Sequence, residues 1–390
     1  MPEVRGSETL RKYEEINEKI GRGEATVLTA EEFVAAVESK GLEKAAREVD
    51  VVTTGTFGAM CSSGAFLNFG HSDPPIKMWH CWLNDVPAYK GLAAVDAYIG
   101  ATAASESRGF EYGGGHVIED LVSGREIRLR ADAYGTDCYP RRYIETTLTI
   151  EDLNQAVLLN PRNAYERYNA ATNSTSRTIY TYMGTLLPNY GNVTFSGSGQ
   201  LSPLHKDMGF ETIGVGTRIF LGGGTGYVIG EGTQHCPQKR FGTLMVKGNL
   251  KQMSGRYLRG ATFHRYGPTM YVGLGLPIPI INENVARTAA LSDSEIFTDL
   301  IDYGVPSRER PTVKQVSYRE LKSGKVLIGD EEVHSSPLSS LKMAKEVAEV
   351  LRDMILEKRF FLNRPAELLP AEMEFKPLLE KSHATVAVGR

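Results

Sequence analysis

Cysteine is scarce in this sequence, and the arrangement of its cysteines narrows the classes of protein that fit. Cys61, Cys81, Cys138 and Cys236 are spread over 390 residues, and no two lie within three positions of each other. This distribution excludes a disulfide-rich secreted scaffold and the cysteine spacings of zinc ribbons and iron–sulfur ferredoxins. HxH and HExxH pairs are absent among the eight histidines, so we predict no bound metal.

Long apolar runs and an excess of one charge are missing as well. The longest apolar stretch, residues 271–281, is broken by glycine and proline, whereas a membrane-spanning helix needs about 20 apolar residues. Lys and Arg together number 44 and Asp and Glu 47, a net charge of -3, which disfavours nucleic acid and membrane surfaces as partners. The first residues are charged and lack the apolar segment of a signal peptide, so a cytoplasmic protein is expected.

Glycine, by contrast, is abundant and clustered. The sequence has 40 glycines among 390 residues, which is a larger share than the usual value of about 7%. Many of them lie in residues 190–290, where short β-branched runs between the glycines predict strands. Periodicity predicts amphipathic helices at residues 8–20 and 339–358, and Thr29 and Glu32 have the spacing of a helix capping box. We therefore predict an α/β fold, with a mixed α+β arrangement as the alternative, in one compact domain. It has a glycine-rich, strand-rich middle and flanking amphipathic helices.

Four further local predictions concern single segments. Residues 49–54 and 125–132 have the patterns of a buried and a half-buried strand. Residues 149–157 are predicted to form a helix, because Thr149 has an acidic residue at capping distance. Residues 316–321 and 325–328 are predicted to pair as a hairpin around a Ser-Gly turn.

Cys138 is the first candidate for chemistry. It follows a predicted strand, and Arg141 and Arg142 come three and four residues later. If this segment turns into a helix, the two guanidinium groups lie near the sulfur and favour the reactive thiolate, although Asp137 opposes them. The same arginines are equally suited to bind a carboxylate in a bidentate fork. The alternative is a strand-end cysteine beside surface arginines.

Cys61 is the second candidate, because it follows a strand and lies in the glycine-rich turn of residues 53–64. Backbone N–H groups in such a turn stabilise a thiolate, and a small buried apolar residue is the alternative. Cys81 lies between large apolar residues and is predicted to serve packing. Cys236 follows His235, which is a candidate base, but a surface turn is the favoured interpretation.

Glycines precede two of the histidines. His116 follows three consecutive glycines and His235 follows a glycine-bearing turn, so the backbone at both positions permits close approach of a ligand. A structural role is the alternative for each. The glycines at residues 214–226 match neither GxGxxG opening a helix nor GxxxxGK[ST], so no nucleotide cofactor is predicted.

Seven segments resemble the homocysteine-biosynthesis domain family of methanogenic archaea and related anaerobes. They are TGTFGAMCSSG (54–64), LNDVPAYKGLAAVDAYIGAT (83–102), YGGGHVIEDLVSG (112–124), AYGTDCYPRR (133–142), YNAATNSTSRTIYTYMGTLLPNYGN (168–192), SGQLSPL (198–204) and GVGTRIFLGGGTGYVIGEGTQH (214–235). The resemblance covers roughly residues 10–365. It implies a homocysteine-biosynthesis-type domain over residues 1–365 and a C-terminal tail over residues 366–390. The CBS pair of many members is not expected here.

The resemblance implies an enzyme, a sulfurtransferase that makes L-homocysteine from L-aspartate semialdehyde, a sulfide source or sulfur carrier, and two electrons. Its catalytic cysteines fall on Cys138, which carries the persulfide, and Cys61. It also implies that no cofactor is bound by this chain. The electrons come from an external two-electron donor, expected to be a small ferredoxin-like iron–sulfur protein. A second copy of the chain is a further candidate partner, in a homodimer.

Substrate chemistry then assigns further candidates. A carboxylate favours arginine, for which Arg141 and Arg177 are the candidates, and His116 or His235 is predicted to move protons at the carbonyl oxygen. Cys61 and Cys138 are expected within disulfide range, about 4.4–6.8 Å between Cα atoms, or slightly more in an open state.

Two other functions remain open at this level. The first is a thiol-dependent aldehyde or acyl enzyme, in which Cys138 attacks carbon directly. The second is a sulfide or redox sensor, in which the cysteine pair oxidises reversibly.

Overall fold

The computed structural model describes residues 10–380, and residues 1–9 and 381–390 fall outside this range. Its α-helices are separated by connections that range from a single residue to a long series of short strands. They are α1 (Tyr13–Arg22), α2 (Ala30–Lys40), α3 (Leu42–Glu48), α4 (Gly114–Val122), α5 (Glu283–Ala289), α6 (Tyr318–Lys322) and α7 (Leu341–Leu356).

Most of the remaining regular secondary structure is in strands of two to nine residues. The first fourteen are β1 (Val27–Thr29), β2 (Val51–Thr53), β3 (Thr56–Ala59), β4 (Gly64–Asn68), β5 (His80–Leu83), β6 (Val86–Ala88), β7 (Asp96–Gly100), β8 (Ala104–Ser105), β9 (Gly109–Gly113), β10 (Ile127–Asp132), β11 (Tyr143–Leu148), β12 (Gln155–Asn163), β13 (Ala170–Thr172) and β14 (Ile179–Thr181). The next fourteen are β15 (Gly184–Leu186), β16 (Asn192–Phe195), β17 (Gly214–Val215), β18 (Arg218–Leu221), β19 (Gly224–Glu231), β20 (Leu244–Asn249), β21 (Leu258–Phe263), β22 (Gly267–Gly275), β23 (Pro277–Pro279), β24 (Phe297–Asp302), β25 (Thr312–Ser317), β26 (Lys325–Ile328), β27 (Glu331–Pro337) and β28 (Glu367–Leu368).

A nine-stranded sheet forms the centre of the molecule. Its order is β21-β22-β18-β19-β20-β12-β4-β7, and β3 pairs with β22 beside this path. Helix α7 packs on β3 and β22 through Ala344, Val347, Ala348 and Leu351, all of which are buried. The helix covers the sheet because its apolar residues recur every three to four positions and so share one face.

Two smaller sheets flank the central one. A six-stranded sheet has the order β25-β24-β13-β16-β27-β26, and it encloses a separate apolar cluster that includes Phe195, Leu300 and Tyr318. A four-stranded sheet has the order β11-β10-β5-β6. The result is a mixed α/β fold in one compact unit with a strand-rich middle, as predicted.

The elements with strong local signals are confirmed. Thr29 caps α2 by accepting a hydrogen bond from the Glu32 N–H, and Glu32 bonds back to the Thr29 N–H. The amphipathic helix predicted at residues 339–358 is α7, and the strands predicted at residues 49–54 and 125–132 are β2 and β10. Capping and amphipathic periodicity depend on near neighbours, so they are visible in the sequence.

Two local predictions are wrong. The Thr149 N–H donates to Asp152 at 2.7 Å, but the helix expected at residues 149–157 is a single 3₁₀ turn that continues into β12. This segment is a strand because it pairs with β4 on one side and β20 on the other. Residues 316–321 contribute mainly to α6, and β26 pairs with β27 instead.

The tail predicted for residues 366–390 is described as far as residue 380, and its first part packs on the body. Strand β28 pairs with β17, and Leu369 is buried. Among the residues described, no helix is both long and apolar enough to cross a membrane.

Candidate active site

Cys61 lies in the turn between β3 and β4, and this turn is fixed by contacts on both sides. The Met60 N–H donates to the Met270 carbonyl at 2.8 Å, and the Ser63 N–H donates back to the Met60 carbonyl at 3.0 Å. The half-buried Cys61 Sγ lies 3.1 Å from Thr269 Oγ1. The thiol therefore has a fixed position with a hydroxyl partner.

The Cys61 turn borders a cavity of about 400 Å³ between the central sheet and the six-stranded sheet. The cavity is lined by polar and aromatic side chains from several strand ends and loops. They include Ser62, Arg162, Tyr165, Tyr168, Asn169, Tyr182, Gln234, Phe241, Tyr266 and Tyr303. Gln234 and Tyr266 are exposed at its rim, so the cavity opens to solvent.

Arg162 is the one charged side chain among the described residues that line this cavity. It lies within the bulge in β12 and donates from Nη1 to Gln234 Oε1, while its Nε is buried and has no hydrogen-bond partner in the described structure. Ser62 Oγ donates to the Arg162 carbonyl at 3.1 Å, which ties the Cys61 turn to this strand. An arginine with a free buried N–H beside a thiol is suited to bind an anionic group.

The tyrosines supply neutral O–H groups. Burial raises the pKa of Tyr165 to about 12, and burial together with the neighbouring Tyr182 raises the pKa of Tyr168 and Tyr303 further. Tyr182 Oη lies 2.8 Å from Tyr303 Oη. The cavity therefore combines one fixed cation with hydroxyl donors that stay protonated at neutral pH.

Cys138 lies elsewhere, in a hairpin between β10 and β11. It is exposed, and its Sγ lies 3.5 Å from Thr136 Oγ1. The helix considered for this segment is not formed, because the Ala133 N–H bonds to the Arg142 carbonyl across the hairpin at 2.8 Å. Arg141 Nε donates to the Tyr143 carbonyl instead of approaching the sulfur.

Cys61 and Cys138 lie toward opposite ends of β4. Cys61 precedes this strand, whereas His71, which follows it, stacks on Tyr139 with ring centroids 5.8 Å apart. Tyr139 is the neighbour of Cys138. At about 3.3 Å per residue, the five-residue β4 alone separates its two ends by about 13 Å.

The two cysteines are also separated across the strands. Strand β10 pairs with β5, which pairs with β6. The bridge between Tyr89 and Tyr98 then leads to β7, which pairs with β4. Four strand spacings of about 4.8 Å each lie on this path. The disulfide-range approach expected for Cys61 and Cys138 is therefore not found within one chain.

The predicted substrate-binding residues do not line the Cys61 cavity. Arg141 belongs to the Cys138 hairpin. Arg177 is exposed in a loop where its carbonyl accepts from Asn173 and Thr175, so its backbone serves a turn.

The side chains of the two candidate histidines form hydrogen bonds with backbone groups. His116 Nδ1 accepts from the Gly113 N–H at 3.1 Å and caps α4, and burial lowers its pKa. His235 Nδ1 accepts from the Thr243 N–H and its Nε2 donates to the Pro370 carbonyl, each at 3.0 Å. Both ring nitrogens of the buried His235 are thus engaged, which leaves none for proton transfer.

The other cysteines are buried. Cys81 is 2% exposed, and burial raises its pKa to about 12, which agrees with the packing role predicted for it. Cys236 is 1% exposed, but it begins a turn whose residues 238–240 are exposed, which agrees with the surface turn that we favoured. Among residues 10–380, no group of three or more His, Cys, Asp or Glu side chains is placed to hold a metal ion.

The sequence did not single out Arg162 or the cavity tyrosines. Arg162 was missed because the segment before it was predicted as a helix, which hid the strand end that carries it. The available signal was the density of tyrosines, with Tyr165, Tyr168, Tyr180 and Tyr182 within eighteen residues.

Comparison with known proteins gives a family and two named relatives. Residues 25–362 match the family described as "Homocysteine biosynthesis enzyme, sulfur-incorporation". An L-aspartate semialdehyde sulfurtransferase of Methanosarcina acetivorans is 57% identical over 368 residues, which cover 94% of this chain and 74% of the relative. An L-aspartate semialdehyde sulfurtransferase of Methanocaldococcus jannaschii is 54% identical over 384 residues, or 95% of this chain and 75% of the relative.

A third relative is more distant. It is an uncharacterized protein of Methanothermobacter thermautotrophicus, 33% identical over 334 residues, which cover 83% of this chain and 74% of the relative. No solved structure matches the chain.

Proposed function

Because the chain belongs to the family of sulfur-incorporating homocysteine biosynthesis enzymes, we propose that it is an L-aspartate semialdehyde sulfurtransferase. It makes L-homocysteine from the semialdehyde, sulfide and two electrons. The observation that carries this assignment is the cavity beside Cys61, where a positioned thiol shares a chamber with one cation and several neutral hydroxyls. Two relatives that are more than half identical carry this name.

The substrate binds in this cavity through its two charged groups. The α-carboxylate pairs with Arg162, whose Nε lacks a partner, because a guanidinium bonds a carboxylate in a bidentate fork. The side-chain oxygens of Asn169 and Gln234 are the acceptors for the ammonium group. Tyrosine hydroxyls donate to the aldehyde oxygen, where negative charge develops during attack.

Sulfur enters by thiol–disulfide exchange. Hydrosulfide attacks the Cys138 sulfur of a Cys61–Cys138 disulfide, the S–S bond breaks, and Cys61 leaves as a thiolate while Cys138 becomes the persulfide. The terminal sulfur of this persulfide then adds to the aldehyde carbon, and its proton passes to the carbonyl oxygen. The substrate is now joined to Cys138 through a disulfide bond.

The product forms in two further steps. The Cys61 thiolate attacks the Cys138 sulfur, which restores the disulfide and releases the substrate as an α-hydroxythiolate. Loss of hydroxide gives a thioaldehyde. Two electrons from an external iron–sulfur protein and two protons then reduce it to the thiol of L-homocysteine. The chain itself supplies binding, positioning and exchange of sulfur.

Labelled sulfide tests this function. The purified protein is incubated anaerobically with L-aspartate semialdehyde, labelled sulfide and a reduced low-potential iron–sulfur protein. Labelled homocysteine is expected from the wild type and not from Cys61→Ala. Unlabelled product, or none, would contradict sulfur transfer, and a thiohemiacetal on Cys138 without sulfur incorporation would favour direct attack on carbon.

A further inference from the structure

The hairpin that carries Cys138 packs on residues 71–79 along one side, where Arg141 bridges to Ile76 and Tyr139 stacks on His71. The last pair between β10 and β11 joins Asp132 to Tyr143, and the hairpin closes at Thr136 and Tyr139, whose backbones bond to each other at 2.9 and 3.1 Å. The Cys138 thiol is exposed near the tip of this hairpin, residues 133–142, which we call the arm.

Exposed aromatic side chains surround the base of this arm. Trp79, Tyr89, Tyr134 and Tyr143 are 59%, 63%, 52% and 52% exposed. All four lie at the same end of the four-stranded sheet, and Trp79 and Tyr134 contact edge to face at 5.5 Å. Exposed tryptophan and tyrosine side chains in one place are characteristic of protein interfaces.

The rim of the Cys61 cavity carries complementary features. Tyr266 is 41% exposed at the mouth. The guanidinium of Arg265 lies 5.1 Å from the ring of Tyr180 and forms no ion pair within residues 10–380. Asp137, next to Cys138 at the tip, likewise forms no ion pair there. The arm tip and the cavity rim therefore both present aromatic surface, and Asp137, with the exposed Arg142 close by on the arm, gives the tip an acidic group that can face Arg265.

We propose that the active site is shared between two copies of this chain, and that the Cys138 arm of each copy enters the Cys61 cavity of the other. This inference rests on the proposed function, which requires the two thiols to meet. Each chain holds a cavity without Cys138 and an arm without a cavity. In a dimer with two-fold symmetry both sites are completed at once, because the arm of each copy meets the cavity of the other.

The shared site explains how sulfur is delivered. The persulfide forms on Cys138 when hydrosulfide opens the disulfide between the two chains, and its terminal sulfur then meets the aldehyde carbon in the same cavity. The Cys61–Cys138 disulfide that forms when the sulfur is released then links the two chains. Forming it breaks the bond between Cys138 and the transferred sulfur, so no additional oxidant is needed.

Mixed dimers test the proposal through activity. Cys61→Ser and Cys138→Ser chains, carrying different tags, are co-expressed and the heterodimer is isolated. A shared site leaves one intact pair of thiols, so about half of wild-type activity is expected. Wild type paired with Cys61→Ser/Cys138→Ser is the matched control and should be nearly inactive. The reverse pattern, an inactive first heterodimer and a half-active second one, would overturn the shared site.

Crosslinking tests the same arrangement without activity. In a Cys81→Ala/Cys236→Ala background, mild oxidation should yield a species of doubled mass on a non-reducing gel. Neither Cys61→Ser nor Cys138→Ser should form it alone, but their mixture should. A disulfide within one chain would contradict the proposal, and so would a monomer at micromolar concentration. This readout separates failure of the shared site from failure of the proposed reaction.

The aromatic base of the arm gives a third measurement. Trp79→Ala/Tyr134→Ala should shift the protein toward monomer by sedimentation and lower homocysteine formation at least tenfold. The matched control is Phe297→Ala on β24, since Phe297 is 47% exposed but lies in another sheet. Equal dimerisation of the two variants would contradict docking through this cluster.

Discussion

Among single residues, Arg162 should govern how tightly the substrate binds. Its replacement in Arg162→Gln removes a charge-assisted hydrogen bond to the carboxylate, which contributes about 1.5–3 kcal/mol. The KM for L-aspartate semialdehyde should therefore rise about 10- to 150-fold, with a smaller change in kcat. Steady-state kinetics measure both. Arg177→Gln is the matched control and should leave KM unchanged. A larger effect at Arg177 would return the carboxylate site to the loop first considered.

The cysteines should differ sharply in what their removal does. Cys138→Ser should abolish labelled homocysteine formation, because serine cannot carry a persulfide. Cys81→Ala should keep most of the activity, since Cys81 is buried with its pKa raised to about 12 and stays a neutral thiol. The anaerobic sulfide assay measures both variants. Full activity of Cys138→Ser would show that sulfur reaches the substrate by another route.

At the scale of elements, the sequence was informative where short-range contacts decide the structure. The capping box at Thr29 and the apolar face of α7 involve residues three or four positions apart, and both were predicted. Thr149 and Asp152 make the expected capping contact, but the segment after them is β12. Pairing with β4 and β20, far away in sequence, outweighs that local signal.

The candidate site was less predictable for the same reason. Cys61 was singled out by its glycine-rich turn, which is a local feature. Arg162 joins it through a hydrogen bond from Ser62 across one hundred residues of chain, and no local pattern encodes that contact. His235 follows a glycine-bearing turn that resembled a ligand site, but its ring bonds to the backbone of Thr243 and Pro370.

The C-terminal segment should stabilise the fold although it lies outside the predicted domain. Deleting the chain after residue 365 removes β28, the buried Leu369 and the carbonyl that accepts from His235. We expect the free energy of unfolding to fall by about 2–4 kcal/mol, measured by urea denaturation. Deletion after residue 375 keeps these contacts and should change stability little. Equal stability of the two truncations would show that the segment contributes nothing.

On the scale of the whole molecule, the architecture places the two thiols of the proposed reaction in different surroundings, one at a cavity and one at the surface. The central and six-stranded sheets enclose the cavity that holds Cys61, and the four-stranded sheet carries Cys138 outward. In the proposed reaction the adduct of substrate and persulfide is better held in a chamber with limited access to water than on an exposed surface. In the proposed shared site two copies bring the thiols together, so activity should depend on protein concentration near the dimer dissociation constant.

The pH dependence of global stability has a defined contributor in Glu166. Burial raises the pKa of this 4% exposed carboxyl from its usual 4.5 to about 7, although the Gly242 N–H partly opposes the shift. The contribution of Glu166 to the free energy of unfolding is fully present below about pH 4.5, where its carboxyl is protonated in both the folded and the unfolded chain. It is lost as the pH rises toward 7, because the unfolded chain releases the proton first. Burial lowers the pKa of His205 to about 4, so protonation of His205 costs stability as the pH falls from 6.5.

Replacing Glu166 by glutamine isolates this contribution from that of His205. Glutamine keeps an oxygen for the Gly242 N–H and cannot ionise. The free energy of unfolding of Glu166→Gln should therefore increase relative to that of the wild type as the pH rises from 4.5 to 7. A shift of this size corresponds to about 2–4 kcal/mol of unfolding free energy. Urea denaturation at half-unit pH steps measures the difference, with the exposed Glu309→Gln as control. A difference between Glu166→Gln and wild type that does not change with pH would mean that Glu166 ionises normally in the folded chain.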